Sequence, residues 1–385
     1  MSNSWEFSSL GNHITLQRGF DLPSHKRKEG QVPVVSSSGI TGYHSETKVN
    51  GPGVVTGRYG TIGKVFYIKN DFWPLNTTLF VKDFKGNDPK FISYLLQTIN
   101  YNSVNAKSSV PGINRNDLHE INVKVPPILI QRRIAGILGA LDDKIDINKR
   151  INQTLDDMAM VLYKHWFVDF GPFESKEIKT WKLGSLDEYC ELITDGAHAS
   201  PKEVPNNKLI ATVKNMGRYA FRYEECKRIS EEDFNKLVAG NCQPQKGDIL
   251  LSKDGTIGKV LFVPETEDKL VLLSSIAILR PKFSSYYLYL YLMNPNTKSM
   301  ILNGYASGSA LTRLVLKSIK TIPILIPPTN ILREFDNKVG SLIENIIKNE
   351  RENNILKQTR EYLLPRLLSG QIELTDAVKM VEEVL

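Results

Sequence analysis

Two segments of the chain carry a heptad pattern of apolar residues, which predicts two long helices. The first segment begins after Pro126-Pro127 and the second after Pro327-Pro328, and proline is favoured in the first turn of a helix. Each segment runs for about forty residues, and Pro365 near the end of the second is the single proline inside them. A helix of that length spans roughly 60 Å.

Each predicted helix carries two seam positions that alternate along one face. In the first helix these positions hold Ile134, Leu141, Asn148, Leu155 and Leu162, and Leu138, Ile145, Asn152, Ala159 and Trp166. In the second helix they hold Phe335, Leu342, Asn349, Leu356 and Leu363, and Val339, Ile346, Asn353, Arg360 and Leu367. A pair of asparagines therefore interrupts each apolar seam near its middle.

The asparagines alone are compatible with either a parallel or an antiparallel helix pair. The connection decides in favour of the antiparallel pair, because the first helix must lead into a second globular segment at its far end. Asn148 then faces Asn353, and Asn152 faces Asn349. Such a polar layer costs stability and sets the register of the two helices.

The chain also contains an internal repeat, which the hexapeptide GTIGKV reveals at residues 60–65 and 255–260. The first copy opens with WEFSSL and the second with WKLGSL, and a Pro-Pro pair precedes the long helix of each. The segments around both hexapeptides alternate β-branched or aromatic runs with glycine turns, which is typical of strands. Short helical stretches follow, so each globular half is predicted to be mixed α and β.

The hexapeptide does not fit a phosphate-binding P-loop, although it contains a glycine followed by a lysine. That motif requires an earlier glycine, where this chain has Arg58 and Lys253, and a Ser or Thr after the lysine, where it has Val65 and Val260. A strand, not a helix, is predicted to follow. The better interpretation is a tight turn between strands in which glycine relieves backbone strain.

The composition, the net charge and the absence of certain motifs favour some classes of function over others. The chain has 385 residues and a net charge of +7, which favours a polyanionic partner, nucleic acid first and an anionic membrane second, although charge needed for solubility alone explains it equally well. No apolar segment resembles a signal peptide or a membrane span, so a cytoplasmic protein is expected. Neither a metal-ligand spacing nor a catalytic motif is found, so neither a metal site nor an enzyme is predicted.

The layout resembles the specificity subunit of type I restriction-modification enzymes over essentially the whole chain. The resemblance rests on the repeated GTIGKV, on the Pro-Pro helix starts followed by QRRIAGILGALDDKI, on YKHWFVDF at the end of the first helix and on LLPRLLSGQIEL at the end of the second. It implies an α+β fold in which two pseudo-repeated mixed α/β target-recognition domains are joined and separated by two long helices forming an antiparallel coiled coil.

On this interpretation the chain divides into five parts. Residues 1–126 form the first target-recognition domain, 127–170 the first spacer helix, 171–327 the second domain, 328–370 the second spacer helix and 371–385 a C-terminal tail. Each domain would read one half of a split double-stranded DNA target, and the helices would set the gap and dock two modification subunits. The chain itself would be non-catalytic and bind no cofactor. S-adenosylmethionine, ATP and Mg²⁺ would belong to the modification subunits and to restriction subunits that join them.

The candidate DNA contacts are polar and basic residues in the loops around the hexapeptides. In the first copy they are Ser37, Ser38, Arg58, Tyr59, Lys64, Asn76 and Arg115, and in the second copy they are Lys214, Asn215, Arg218, Lys253, Lys259, Ser274 and Arg313. Gly112 and Gly308 lie in further loops expected to approach the DNA backbone. Because the two sets differ, the two half-sites are expected to differ in sequence.

Two other functions remain open from the sequence. One is a coiled-coil scaffold whose globular ends bind proteins, with an incidental positive charge. A nucleotide-dependent enzyme built on the hexapeptide is the weakest hypothesis, because the phosphate-binding motif is incomplete.

Overall fold

A computed structural model describes residues 5–101, 112–205, 208–266, 269–306 and 313–385. The chain divides into two units, one made of Met1–Asp146 with Asn353–Leu385 and the other of Ile147–Glu352. Two long helices, α4 (Ile128–Phe167) and α11 (Thr329–Ser369), each contribute residues to both units. Among the described helices, none is both long enough and apolar enough for a membrane span.

The described residues of the first unit form nine strands. They are β1 (Glu6–Ser9), β2 (Thr15–Arg18), β3 (Val32–Ser36), β4 (Gly39–His44), β5 (Gly53–Gly57), β6 (Val65–Ile68), β7 (Trp73–Pro74), β8 (Thr78–Asp83) and β9 (Asn122–Val125). Its short helices are α1 (Leu10–His13), α2 (Pro89–Gln97), α3 (Arg115–His119) and, after α11, α12 (Leu374–Glu382). The strands form three sheets in the orders β2-β8-β5-β6, β4-β3-β7 and β1-β9.

Nine strands also lie in the described part of the second unit. They are β10 (Lys182–Ser185), β11 (Cys190–Asp195), β12 (Lys208–Ala211), β13 (Lys227–Ile229), β14 (Ile249–Ser252), β15 (Val260–Phe262), β16 (Leu270–Leu272), β17 (Ile276–Pro281) and β18 (Pro323–Ile326). Its short helices are α5 (Ser175–Ile178), α6 (Leu186–Tyr189), α7 (Glu231–Ala239), α8 (Ser285–Met293), α9 (Pro295–Gly304) and α10 (Leu316–Lys320). Its three sheets have the orders β11-β17-β14-β15, β13-β12-β16 and β10-β18.

The described sheets of the two units have the same topology. Each unit contains a four-stranded antiparallel sheet and a three-stranded sheet. The three-stranded sheet includes one parallel pair, which is β3 with β7 in the first unit and β12 with β16 in the second. In each unit a two-stranded antiparallel ladder joins the first strand to the strand before the long helix. The predicted pseudo-repeat of two mixed α/β domains is therefore confirmed. Among the described residues, α7 and α9 of the second copy have no counterpart in the first copy.

The long helices pair antiparallel within each unit. In the first unit the beginning of α4 packs on the end of α11, since Ile134, Leu138 and Ile145 share a buried cluster with Leu363 and Leu367. In the second unit the end of α4 packs on the beginning of α11, and the rings of Trp166 and Phe335 lie 5.8 Å apart. The predicted antiparallel coiled coil is therefore confirmed.

Polar side chains interrupt the apolar seam in each unit. In the second unit Asn349 donates an amide hydrogen bond of 2.8 Å to the side-chain oxygen of Asn152, which is fully buried. The amide of Asn148 donates to Glu352 at 2.8 Å. In the first unit Asn353 is fully buried on α11. The polar layer thus places amide groups inside an otherwise apolar helix interface.

Arg360 is the charged residue on the predicted seam of the second helix, opposite the fully buried Leu141. Its guanidinium avoids the apolar layer by forming an ion pair of 2.7 Å with Asp142 of α4. The same carboxylate accepts a hydrogen bond of 2.6 Å from Tyr94 of α2. Burial, and then the charge of Asp142, raises the pKa of Tyr94, so its hydroxyl remains a donor. This cluster ties the globular part of the first unit to both long helices.

The C-terminal segment expected as a tail contains helix α12. Its Ala377 and Val381 are buried in the core of the first unit, beside the end of α11. The amphipathic pattern of this short helix explains its docking, because its apolar face would otherwise be exposed to water.

We predict that replacing both Asn152 and Asn349 by leucine raises the free energy of unfolding by about 1 to 3 kcal/mol, because a buried polar pair is exchanged for apolar contact. Thermal denaturation followed by circular dichroism measures the change. The single replacement Asn152→Leu serves as the control, since it leaves the Asn349 amide without the oxygen it donates to. A double variant that melts below the single variant would contradict the prediction.

Candidate nucleic-acid interface

The hexapeptide forms the same turn in both copies, between β5 and β6 and between β14 and β15. Gly60 and Gly63 have φ values of 76° and 74°, and Gly255 and Gly258 have values of 69° and 84°. A backbone hydrogen bond closes each turn, from Gly57 to Lys64 at 3.1 Å and from Ser252 to Lys259 at 2.9 Å. A left-handed backbone favours glycine, so the predicted tight strand-to-strand turn is confirmed.

In the first copy the turn presents Arg58 and Tyr59 side by side. The guanidinium carbon of Arg58 lies 4.6 Å from the centre of the Tyr59 ring, and the ring is 39% exposed. The Nε of Arg58 donates a long hydrogen bond of 3.4 Å to the carbonyl of Ile113. A stacked arginine and tyrosine at a loop surface can contact a phosphate and a base or sugar face.

The structure brings other first-copy candidates near this pair. Ser37 and Ser38 form the turn between β3 and β4, and a Cβ at Gly60 would lie 3.4 Å from the Ser37 hydroxyl. The amine of Lys64 lies 5.5 Å from the ring centre of Phe66. These residues line one face of the turn and keep their polar atoms at or near the surface.

Three further first-copy candidates are Arg115, Asn76 and Gly112. Arg115 is exposed at the first position of α3. Asn76 donates a hydrogen bond to the exposed carboxylate of Asp21. A Cβ at Gly112 would lie 2.3 Å from the Tyr59 ring, so the ring packs directly on this glycine. Gly308, the corresponding expectation in the second copy, lies outside the described residues.

In the second copy the hexapeptide turn lines an open cleft of about 920 Å³. The lining contains Ala197, His198, Ser200, Thr212, Val213, Lys214, Arg222, Glu225, Lys227, Asp254, Gly255, Thr256, Lys259, Leu273, Ser274 and Ser275. Three of the predicted contacts, Lys214, Lys259 and Ser274, lie together here. We call this feature the second-copy cleft.

The second-copy cleft carries an excess of positive charge. Lysine and arginine provide four of its lining residues, whereas aspartate and glutamate provide two. One of those acids, Glu225, forms an ion pair of 3.4 Å with Arg222. The other, Asp254, forms one of 3.1 Å with Arg313. Hydroxyl groups fill much of the remaining lining, so the cleft offers both cations and neutral hydrogen-bond donors.

Lys259, the last-but-one residue of the hexapeptide, holds a neighbouring segment as well as lining the cleft. Its amine donates to the carbonyls of Val213 and Met216, at 3.4 and 3.3 Å. The hydroxyl of Ser252 accepts a hydrogen bond of 2.8 Å from the Lys259 backbone amide. The lysine therefore braces the segment that presents Lys214.

Three predicted second-copy contacts have intramolecular partners. Lys253 has a largely buried side chain, and its amine lies 3.0 Å from the buried carboxylate of Asp195. Asn215 is buried, and its side-chain oxygen accepts from the backbone of Thr212 at 2.9 Å. Arg218 forms an ion pair of 2.7 Å with Asp156 of α4. The structure therefore separates these three from the group that lines the cleft.

The sequence reasoning did not select Arg222, Lys227 or His198, which also line the cleft. Arg222 precedes the short turn of residues 223–225, Lys227 is the first residue of β13, and both are exposed. Their spacing shows no motif, because they converge only through the fold. A search for basic residues on either side of each predicted strand would have included them.

Comparison with known proteins matches the family model of the type I restriction modification DNA specificity domain over residues 2–157 and 178–359. The chain is 26% identical to the type I restriction enzyme MjaIX specificity subunit of Methanocaldococcus jannaschii, over 82% of this chain and 76% of that protein. It is 25% identical to the HindI specificity subunit of Haemophilus influenzae, over 80% of this chain and 84% of that protein.

A solved structure has a similar fold. The type I restriction-modification S subunit from M. genitalium aligns with a TM-score of 0.62, covering 96% of this chain and 97% of that one at 15% identity. At this level of identity the likeness concerns the fold alone.

We predict that Lys253→Ala lowers the free energy of unfolding by about 3 kcal/mol, because it removes the lysine partner of the buried Asp195 carboxylate, whose other ion-pair neighbour is the exposed His198 at 3.3 Å among the described residues. The matched change Arg58→Ala in the first copy should cost about 1 kcal/mol or less, since Arg58 is only partly buried. Chemical denaturation of both variants measures the difference. Equal losses of stability would show that Lys253 does not act as a structural ion-pair partner.

Proposed function

Since the chain belongs to the type I restriction modification DNA specificity family, we propose that it reads a split DNA target with two separate surfaces. The first surface belongs to residues 1–126 and the second to residues 171–327. The long helices within residues 127–170 and 328–370 set the gap between the half-sites. The chain acts as a non-catalytic specificity subunit, and its place is the cytoplasm, where its DNA target lies.

The observation that carries this proposal is one scaffold occurring twice with different surface side chains. Both copies have the same sheet orders and the same hexapeptide turn. Beside that turn the first copy exposes Arg58 and Tyr59, whereas the second copy presents the ion pair of Asp254 and Arg313. Two domains that share a backbone scaffold but differ in surface side chains suit the recognition of two different DNA sequences.

We propose the DNA contacts from the exposure of each side chain and from its position near the hexapeptide turn or the second-copy cleft. In the first copy they are Ser37, Ser38, Arg58, Tyr59, Lys64, Asn76 and Arg115. In the second copy they are Lys214, Arg222, Lys227, Lys259, Ser274 and Arg313. Lys253, Asn215 and Arg218 support the second surface from within the protein. The basic members suit contacts with phosphates or with the O6 and N7 atoms of guanine, and the hydroxyl and amide members suit base edges.

We also propose that α4 docks a modification subunit through an exposed apolar stripe. Ile147, Ile151, Met158 and Val161 are 44%, 43%, 48% and 66% exposed and recur at helical spacing. Ile147 and Ile151 line a shallow groove of about 360 Å³ on this helix. A contiguous apolar surface of this kind marks a protein-binding site. The modification subunits supply S-adenosylmethionine chemistry, and restriction subunits that use ATP and Mg²⁺ join that complex.

A coiled-coil scaffold with protein-binding ends is the second candidate. The family match over both globular segments favours the DNA reader instead. The positive excess in the second-copy cleft supports the same choice, because a cation-rich concave surface suits a polyanion.

The proposed function predicts that deleting the gene from its host removes methylation from one set of DNA sites. Those sites should share a motif of two short sequences separated by a fixed unread gap. Single-molecule sequencing of host DNA before and after deletion measures this directly. An unchanged methylation pattern would contradict the assignment as the specificity subunit of an active modification enzyme.

A separate binding measurement tests the second-copy cleft. In the complex purified from the host, Lys214→Gln should reduce the slope of log affinity against log salt by about 1 if the amine contacts a phosphate. Lys236→Gln is the matched control, because Lys236 is exposed on α7 and pairs with Glu232 outside the cleft. Equal salt slopes for both variants would remove Lys214 from the interface.

The docking proposal predicts that Ile151→Glu combined with Met158→Glu prevents co-purification with the modification subunit, because two charges enter an apolar contact. Gln153→Glu is the control, since it adds a charge to an exposed position on the same helix. Affinity purification of the tagged chain from host cells gives the result. Retention of the modification subunit by the double variant would exclude this stripe as the docking surface.

A further inference from the structure

Residues 212–222 of the second unit form a tight hairpin. Met216 and Phe221 form an antiparallel bridge, and the amide of Arg222 donates to the carbonyl of Asn215 at 2.9 Å. The amide of Gly217 donates to Ala220 at 2.9 Å and closes the tip. The hairpin is therefore held by its own hydrogen bonds. We call it the 212–222 hairpin.

The base of the 212–222 hairpin forms part of the second-copy cleft. Thr212, Val213, Lys214 and Arg222 line the cleft. The guanidinium of Arg222 donates to the carbonyl of Lys214 at 3.4 Å, which links the two ends of the hairpin. The positions of these two cations, and therefore of their contacts with a ligand, depend on where the hairpin lies.

The middle of the 212–222 hairpin is anchored in the domain core. Met216 and Phe221 are 1% and 4% exposed and share a buried cluster with Leu250 and Leu261 of the four-stranded sheet. Lys259 of the hexapeptide donates to two hairpin carbonyls, as described above. These contacts fix one side of the hairpin against the sheet.

The tip of the 212–222 hairpin is fixed against the long helix α4. Asp156 is 8% exposed, and its Oδ2 accepts hydrogen bonds from Arg218 Nη2 at 2.7 Å, from Arg218 Nε at 3.2 Å and from the Tyr219 hydroxyl at 2.7 Å. The guanidinium carbon of Arg218 also lies 5.3 Å from the Tyr219 ring centre. Burial, and then the hydrogen bond to Asp156, raises the pKa of Tyr219, so that the phenol remains protonated and donates. One buried oxygen on α4 thus receives three donors from the tip.

Among the described residues, this arrangement occurs in the second copy and has no equivalent in the first. In the first unit the contacts with α4 use other elements, since Lys69 after β6 and Lys90 of α2 pair with Asp143 at 3.2 and 3.3 Å. The turn between β3 and β4 in the first copy consists only of Ser37 and Ser38. A change at Asp156 therefore reaches the surface of one copy and leaves the contacts of the other intact.

The geometry points to Asp156 as a positioning residue for specificity at the second half-site, acting through Arg218 and Tyr219 on the cations at the hairpin base. This inference rests on the proposed function, because it concerns the second DNA-reading surface. Asp156 touches no DNA itself. It couples the spacer helix to the reader, so that the hairpin keeps Lys214 and Arg222 at one fixed position.

Asp156→Ala tests the inference, with Asp157→Ala as the matched control. Asp157 is the next residue on α4, carries the same charge and is exposed, with a hydrogen bond from Gln153. Each variant replaces the chromosomal gene in the host, and sequencing maps the methylated sites. Asp156→Ala should raise the fraction of methylated sites with a mismatch in one half of the motif by about tenfold, as loss of about one base-pair discrimination would. The other half should stay unchanged.

A second measurement does not depend on DNA. Hydrogen exchange of the full chain should become faster at the backbone amides of residues 213–222 in Asp156→Ala and stay unchanged in Asp157→Ala. Tyr219→Phe removes one donor without leaving a cavity and should give a smaller change in the same two readouts. These data separate a shifted hairpin from a protein that fails to fold, since loss of folding would accelerate exchange throughout the second unit.

The outcomes decide between the possibilities. An unchanged motif with unchanged hairpin exchange in Asp156→Ala overturns the positioning role. Equal relaxation of both half-sites, or a lower methylation level with an unchanged motif, also overturns it, because those results indicate a general structural role. A host in which gene deletion alters no methylation overturns the proposed function instead, and the exchange data then still report whether Asp156 fixes the hairpin.

Discussion

The apolar seam between α4 and α11 is the constraint on which the rest of the structure depends. In each unit the core of the globular part continues into this seam without a break. Phe91 and Leu96 of α2 share one buried cluster with Ile134 and Leu363 of the long helices, and Tyr287 of α8 shares another with Phe335. Neither globular part could bury its apolar face fully without the helices. The helices in turn would expose their seams to water without each other.

The attachment of each globular part to the helices follows the same plan with different chemistry. In the first unit the side chain of Gln131 on α4 accepts a hydrogen bond of 2.9 Å from the amide of Asp88, the residue before α2. In the second unit Asp336 on α11 accepts from the hydroxyl of Ser284, the residue before α8. Burial raises the pKa of Asp336 to about 6, because the hydrogen bond from Ser284 offsets only part of the cost of burying the charge. Polar groups at the helix–domain junction can thus be exchanged while the apolar seam is kept.

The sequence predicted the elements whose signal is periodic or repeated. The heptad pattern identified both helices and the residues that pair between them, because burial of a seam imposes its period on the chain. The duplicated hexapeptide identified a turn for the same reason, since a positive φ restricts the position to glycine. The partners of Arg218 and Lys253 could not be predicted, because they are set by the fold. Arg218 and Asp156 are 62 residues apart in the chain, and no local pattern connects them.

The two copies differ in their side chains at positions where main-chain hydrogen bonds alone hold the backbone. The amide of Ile113 donates to the carbonyl of Arg58 at 3.0 Å, and the amide of Leu314 donates to Lys253 at 2.9 Å. The same main-chain bond therefore holds the loop beside each turn, whatever residues flank it. Backbone hydrogen bonds carry no side-chain information, so the neighbouring positions are free to vary without loss of the scaffold. A scaffold held in this way can support two surfaces of different chemistry, and a further change of surface side chains would leave the turn, the sheets and the helix seam intact.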